Sequence, residues 1–231
     1  MESRRLSKKF IIQQTSAHLI NENNFIAIVA NGEFTKSKLI INLLKKSKLI
    51  IACDGAAHEL NKRDIIPDYV IGDNDSLIQN HEAKNPYIYI NDQNTKDLTK
   101  AFNFAINQQE IKKLPILFFN ANGNREDHFI GNFALLNEFG KQHNDICMIS
   151  DFGIFKYYST GKHEIKCLQN QQISLFNLEA NNKISTDGLV WNLDNSSIDN
   201  LFMATLNQTL SNNYEIRSSK AIIIYTSFEC K

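Results

Sequence analysis

Acidic side chains recur in this chain directly after short apolar runs. Asp54 follows Lys48-Leu49-Ile50-Ile51-Ala52-Cys53, and Asp73 and Asp75 follow Tyr69-Val70-Ile71-Gly72. Asp92 and Gln93 follow Tyr87-Ile88-Tyr89-Ile90, and Asp97 opens the helical pattern that comes next. If the runs are strands of one α/β sheet, their carboxyl ends share an edge, and ligands of open α/β sheets lie outside that edge. Carboxylates gathered there repel one another. A like-charge pair about 4 Å apart costs roughly 4 kcal/mol at an effective dielectric near 20. The group must take up protons or hold a cation, and hard carboxylate oxygens favour Mg²⁺. Each Asp alone serves equally well as a turn or N-cap residue. Four at consecutive strand ends favour the metal.

Two cations belong with these acids. Lys100 stands at i+3 from Asp97 on the same predicted helix, so both reach one edge, although taken alone it reads as a solvated helix lysine. Arg125, His128 and Asn132 fall at i, i+3 and i+7 on a later helix and share a face. Arginine suits bidentate phosphate recognition, and a surface salt bridge with Asp127 is its equal alternative. Other phosphate and metal signatures are absent from the letters. Asp73-Asn74-Asp75 begins like an EF-hand loop, but that register puts Ile78 where Gly is needed and Lys84 where the bidentate Glu belongs. There is no P-loop, no dinucleotide fingerprint, no zincin helix and no serine elbow.

The elements that must position these groups alternate. Apolar runs at Phe25–Ala30, Lys48–Cys53, Tyr69–Ile71, Tyr87–Ile90, Pro115–Phe119 and Ile146–Ile149 read as buried strands. Helical patterns fall at Lys38–Lys45, Asp97–Gln108 and Arg125–Gln142. This predicts an α/β domain with a mostly parallel sheet and helices on both faces. After about residue 150 the helical period disappears. Short β-like runs at Lys156–Tyr158, His163–Leu168, Gln172–Phe176 and Ala221–Tyr225 predict a small all-β sandwich. The division is 1–23 as a tail or leading helix, 24–150 as the α/β domain and 151–231 as the sandwich.

Composition narrows the partners. Among 231 residues, 25 basic and 25 acidic side chains cancel, which removes the long-range attraction a nucleic-acid binder uses. No apolar stretch approaches a membrane-spanning length. The apolar run Phe10-Ile11-Ile12 is too short for a signal peptide. The 4 cysteines form no C-x-x-C pair, so neither a zinc site nor a disulfide framework is indicated. A cytoplasmic protein is expected.

Four segments carry a resemblance. They are Asp54-Gly55-Ala56-Ala57; Pro67-Asp68-Tyr69-Val70-Ile71-Gly72-Asp73-Asn74-Asp75-Ser76; Asp92-Gln93-Asn94-Thr95-Lys96-Asp97-Leu98-Thr99-Lys100-Ala101; and Gly123-Asn124-Arg125-Glu126-Asp127-His128 followed by Asn132. With Gly188–Leu193 and Leu210-Ser211-Asn212 in the C-terminal part, the chain from about Phe25 onward resembles the thiamine pyrophosphokinase family. It departs from the family in several places. Asn120, Ala121, Asn122 and Asn124 replace a glycine-rich approach to the Arg-x-Asp-His motif. Lys96 stands where Thr is common, and Asn74 where an aromatic or apolar residue is common. The stretch from Leu193 to Ser211 is longer than usual.

The resemblance implies transfer of a pyrophosphoryl group from ATP to the hydroxyl of thiamine, giving thiamine diphosphate and AMP. It implies a homodimer whose active sites are shared between subunits. Asp54, Asp73, Asp75 and Asp97 are then expected to hold Mg²⁺, and Lys100 and Arg125 to stabilise phosphate charge. Asp127 would orient Arg125 or meet the metal site, and Thr99, His128 and Asn132 would join the ligand-binding set. Gln93, Thr209, Ser211 and Asn212 are expected near thiamine. Trp191, the 1 Trp of the chain, would either face the thiazolium cation or sit in the sandwich core. Two rival classes use the same residues: another Mg²⁺-dependent phosphoryl or pyrophosphoryl transferase, and a non-catalytic nucleotide or thiamine binder.

Overall fold

The computed structural model describes residues 24–72, 86–92, 94–108 and 113–230. The expectations for the 1–23 tail and for Asp73, Asp75 and Gln93 lie outside the described residues. The described chain divides into two compact units, one of residues 24–135 with 148–151, the other of 136–147 with the chain from 152 onward.

In the first unit, β1 (Ile26–Val29), β2 (Leu49–Cys53), β3 (Tyr69–Gly72), β4 (Tyr87–Tyr89) and β5 (Ile116–Phe119) are parallel in the order β5-β1-β2-β3-β4. Ile26 is paired with Leu49 on one side and Ile116 on the other. Every residue from Phe25 to Val29 is buried. That burial on both faces is why the run is unbroken rather than alternating. Helix α1 (Lys38–Leu44) buries Ile40, Leu43 and Leu44, one stripe at helical spacing. Helix α2 (Ala56–Asn61) buries Ala56, Ala57 and Leu60. It is too short to display a period, so no sequence pattern announces it. Helix α3 (Asp97–Asn107) buries Leu98, Lys100, Ala101, Phe102 and Ala105 and packs on β1, β2 and β3. Helix α4 (Glu126–Gln142) opens after the β5 loop, and β6 (Ile146–Ile149) follows it.

The second unit contains two antiparallel sheets. One has β7 (Gly153–Tyr158), β9 (Gln171–Phe176), β11 (Asn207–Gln208) and β13 (Ile222–Cys230) in the order β11-β9-β13-β7. The other has β8 (Gly161–Lys166), β10 (Ile184–Asp187) and β12 (Asn213–Ser218) in the order β10-β12-β8. Ile173, Leu175, Ile222 and Ile224 of the first sheet share a core with Ile184, Tyr214 and Ile216 of the second, the expected sandwich. Strands β10, β11 and β12 give no sequence signal because each carries at most two apolar residues. Their pairing comes from backbone register rather than from an apolar run. No described helix is long and apolar enough to cross a membrane.

Candidate active site

Strand-end loops of the first unit are tied to one another before any ligand-binding group is considered. Gly32 N–H donates to the Asn120 carbonyl (2.9 Å) and Glu33 N–H to the Asn122 carbonyl (3.0 Å), joining the loops after β1 and β5. A Cβ on Gly32 would stand 2.1 Å from the Asn120 oxygen, so this approach admits only glycine. Asn120 is buried, and its side-chain oxygen accepts the Thr35 N–H at 3.1 Å. The Thr35 hydroxyl in turn donates to Asp151 Oδ1, and Asp151 Oδ2 accepts the Lys36 N–H at 3.1 Å. Asn120 and Asn124 have φ of 53° and 62° and Gly123 has 77°. Asparagine tolerates this left-handed region better than most residues. The Asn-rich loop therefore makes left-handed turns with only one glycine of its own.

A cavity of about 540 Å³ opens among these loops. It lies within the usual range for small-molecule sites, roughly 300–1,000 Å³. Asn31 and Gly32 line it from the end of β1, Cys53 from β2, and Gly123, Asn124 and Arg125 from the loop after β5. Lys96 and Asp97 contribute from the start of α3, and His128 and Asn132 from α4. The structure thus brings Asp97, Arg125, His128 and Asn132 to one cavity; the shared helix face of the last three is the one their spacing predicted. Asn31, Gly32 and Asn124 join them at the cavity wall, and as uncharged residues after strands they carry no chemical signal of their own in the sequence.

Asp97 and Lys100 form a pair, with Lys100 Nζ 3.0 Å from Asp97 Oδ1. The Lys100 side chain is only 2% exposed and that of Asp97 31%. The solvated-lysine reading is therefore corrected. Four methylenes lie in the apolar packing of α3, and the ammonium meets a carboxylate instead of water. Asp54, directly after β2, is buried as well, and a Cβ on Gly72 would come within 2.5 Å of its Cβ. Burial pushes the Cys53 thiol far up; the charges of Asp97 and Asp54 raise it further, and Lys100 opposes them. The charges of all three groups thus act on one buried sulfur. Thr99 is half-buried on α3 and does not line the cavity.

Arg125 is bidentate to Asp127, with Nε–Oδ1 at 3.0 Å and Nη2–Oδ2 at 2.6 Å, and both side chains are well exposed. Asp127 also accepts the His128 N–H at 2.9 Å. The Arg125 hydrogen bonds hold the Asp127 carboxyl below the usual carboxylate range. The salt-bridge alternative for Arg125 is thus present, and it leaves the guanidinium at the cavity wall. Asn132 Nδ2 donates to the Ala121 carbonyl at 2.9 Å and fastens α4 to the β5 loop. Asp92 spends its carboxylate on Thr95 Oγ1 (2.6 Å) and Asn94 N–H (2.8 Å), bonds that lower its pKa, so it is a turn residue. Among the described residues no three His, Cys, Asp or Glu side chains gather as a metal site. Asp54 and Asp97 are hard oxygen donors of the type Mg²⁺ takes.

The second unit brings the two C-terminal segments together. Leu189 bridges Thr209, Val190 N–H donates to the Gln208 carbonyl and Leu210 N–H to that of Gly188. Buried Asn207 clamps Trp191, accepting its N–H at 3.2 Å and donating to its carbonyl at 2.8 Å. No sequence signal marked Asn207 among so many asparagines. Trp191 itself is 62% exposed, so the core alternative fails. The Thr209 hydroxyl is fully buried, donates to the Leu168 carbonyl at 2.6 Å and accepts the Gln171 N–H at 3.0 Å. Ser211 and Asn212 are exposed; Ser211 Oγ donates to the Asn213 carbonyl, and Asn212 Oδ1 accepts the Gln169 N–H.

A parallel α/β unit with acids and an arginine at its strand ends, followed by an antiparallel sandwich, defines a class of two-unit α/β protein whose sheet edge offers a ligand cavity. Comparison with known proteins narrows the class. Residues 40–148 match the model of the thiamin pyrophosphokinase catalytic domain, and residues 153–225 that of the thiamin pyrophosphokinase substrate-binding domain. The chain is 22% identical over 217 residues to thiamin pyrophosphokinase 1 of Caenorhabditis elegans, covering 88% of this chain and 89% of that protein. It is 31% identical over 147 residues to thiamine pyrophosphokinase 1 of Oryza sativa subsp. japonica, 57% of this chain and 54% of that one. The solved thiamin pyrophosphokinase from Candida albicans superimposes with a TM-score of 0.76 at 17% identity, over 90% of this chain and 91% of the other, an agreement of fold. The chain belongs to the thiamin pyrophosphokinase family, a family of enzymes.

Proposed function

We propose that the protein transfers the pyrophosphoryl group of ATP to the hydroxyl of thiamine, releasing AMP. Residues 24–150 form the ATP- and Mg²⁺-binding domain in this reading and 151–231 the thiamine-binding domain. The observation that carries the first half is the convergence of Asp97 and Arg125 on one cavity at the strand ends, beside buried Asp54 and Lys100. Asp54, Asp73, Asp75 and Asp97 would hold Mg²⁺, which when bound neutralises the polyphosphate and polarises the phosphorus under attack.

The chain's own residues do the rest. Lys100 holds one Asp97 oxygen and so fixes the direction of the other. Arg125, steadied by Asp127, offers its guanidinium to phosphate oxygens whose charge redistributes in the transition state. Asn132 keeps the loop that carries Arg125 against α4. His128 completes the nucleotide side at the cavity wall, and Thr99 supports it from α3 without lining the cavity. Thiamine is met by Gln93, Ser211 and Asn212, with Trp191 facing the cation. Thr209 contributes by holding the Leu168–Gln171 turn in shape. Exposed Trp191, Phe202, Leu206 and Leu210 support a homodimer in which each thiamine site is completed by the other subunit. Four free thiols support a reducing compartment, the cytoplasm. The test is AMP formation from ATP with thiamine present or omitted. AMP that depends on thiamine is the expected result; AMP only with some other alcohol, or none at all, rejects the reading.

A further inference from the structure

We propose that Lys96 is a further phosphate-binding residue of this cavity, seated on α4 over Gly131 and facing the nucleotide's phosphate chain. The inference rests on the nucleotide-binding role assigned above. Lys96 and Arg125 line the same cavity. A Cβ built on Gly131 would stand 2.4 Å from Lys96 Nζ and 3.8 Å from its Cε, with no other atom within 4 Å. The ammonium therefore rests where any other residue at position 131 would put a side chain. Gly131 lies three residues beyond His128 and one before Asn132, on the face of α4 that these two cavity-lining residues share. Nζ is thus held on the cavity side of the helix.

Charge accounting separates Lys96 from its neighbours. Arg125 is paired with Asp127 and Lys100 with Asp97. Among the described residues no carboxylate lies within 4.0 Å of the Lys96 ammonium. The residue is also locally misplaced. It occupies the N-cap of α3 without making a side-chain cap, a position that favours Ser, Thr, Asp or Asn and disfavours positive charge. Gly131 sits inside a 17-residue helix, where glycine is disfavoured too. Two local costs that meet at one point of a cavity are the pattern expected of a functional contact. A polyanion entering the cavity meets a compact, strongly hydrated point charge beside the planar fork of Arg125.

Binding of ATP and of inorganic tripolyphosphate, measured by calorimetry in magnesium buffer, tests the assignment alongside steady-state KM values. Lys96→Met should weaken both ligands about five- to tenfold, as expected for one partly exposed charge-assisted contact. It should raise KM for ATP in step and leave KM for thiamine unchanged. Lys96→Arg should restore most of the loss. Gly131→Ala, which keeps the lysine but fills its seat, should shift binding in the same direction by less. Wild-type affinity of Lys96→Met for both polyphosphates would overturn the proposal, as would a wild-type protein that binds neither. If the wild type binds tripolyphosphate yet makes no AMP with thiamine, the thiamine reading falls and the binding comparison alone decides Lys96.

Discussion

The two units use polar residues in opposite ways. In the α/β unit, charged groups are buried or lodged at strand ends: Asp54 and Lys100 are both almost fully out of water. Burying charge is expensive unless it is matched, so these side chains are costs to the fold that chemistry can justify. In the β unit, the buried polar side chains of Thr209, Asn207 and Gln171 are consumed by backbone groups of other segments of the same unit, at Leu168, Trp191 and Ser227. What that unit leaves exposed is Trp191, Ser211 and Asn212. The contrast teaches that residue type signals function in one unit and scaffolding in the other.

The sharpest test of this contrast is to neutralise an acid in the first unit. Asp73→Asn and Asp75→Asn should each lower turnover at least about a hundredfold, the scale of losing one preorganised electrostatic group, with the thermal midpoint held. Mixing inactive Asp73→Asn protein with a Ser211→Ala/Asn212→Ala double variant should then restore activity. With free subunit exchange about half the dimers are mixed, each with one intact site, so recovery should approach about a quarter of wild-type sites. Two inactive parents that exchange subunits without recovery would mean that each site is built within one chain.

A smaller effect is expected at Arg125. Arg125→Ala should cut kcat roughly 10- to 100-fold while leaving KM for thiamine and the melting temperature near their wild-type values. A change confined to KM for thiamine would move Arg125 to the other substrate's site.

The mildest pair of changes probes the second unit directly. Thr209→Val should destabilise the protein by about 1–3 kcal/mol, because it strips a hydrogen bond from the Leu168 carbonyl and from the buried Gln171 N–H. Trp191→Leu should leave stability nearly unchanged and weaken thiamine, since a cation–π contact is worth about 0.5–2 kcal/mol. Denaturation midpoints and KM for thiamine read the two effects separately. If Thr209→Val raised KM for thiamine without lowering stability, the scaffold and ligand roles drawn for this unit would be exchanged.

Several features were decided by the letters alone. Unbroken apolar runs required strands buried on both faces, which holds for β1, β2, β3 and β5, so these strands and the sheet edge were legible before any coordinates. By contrast β4, with Tyr89 exposed, proves a half-covered strand. The three-residue spacing of Asp97 and Lys100 sufficed to put them together, because helix geometry is local. Other features only tertiary structure could decide. Burial of Lys100 depends on what packs on α3, and exposure of Trp191 on how Asn207 holds its backbone. The polar strands β10 to β12 exist because partners supply their hydrogen bonds. The seat of Lys96 pairs two residues 35 positions apart in the chain, a contact that exists only once α3 and α4 meet. Periodicity and strand-end chemistry are written in neighbouring residues, whereas the environment of a charge is set by whatever distant segment the fold lays against it.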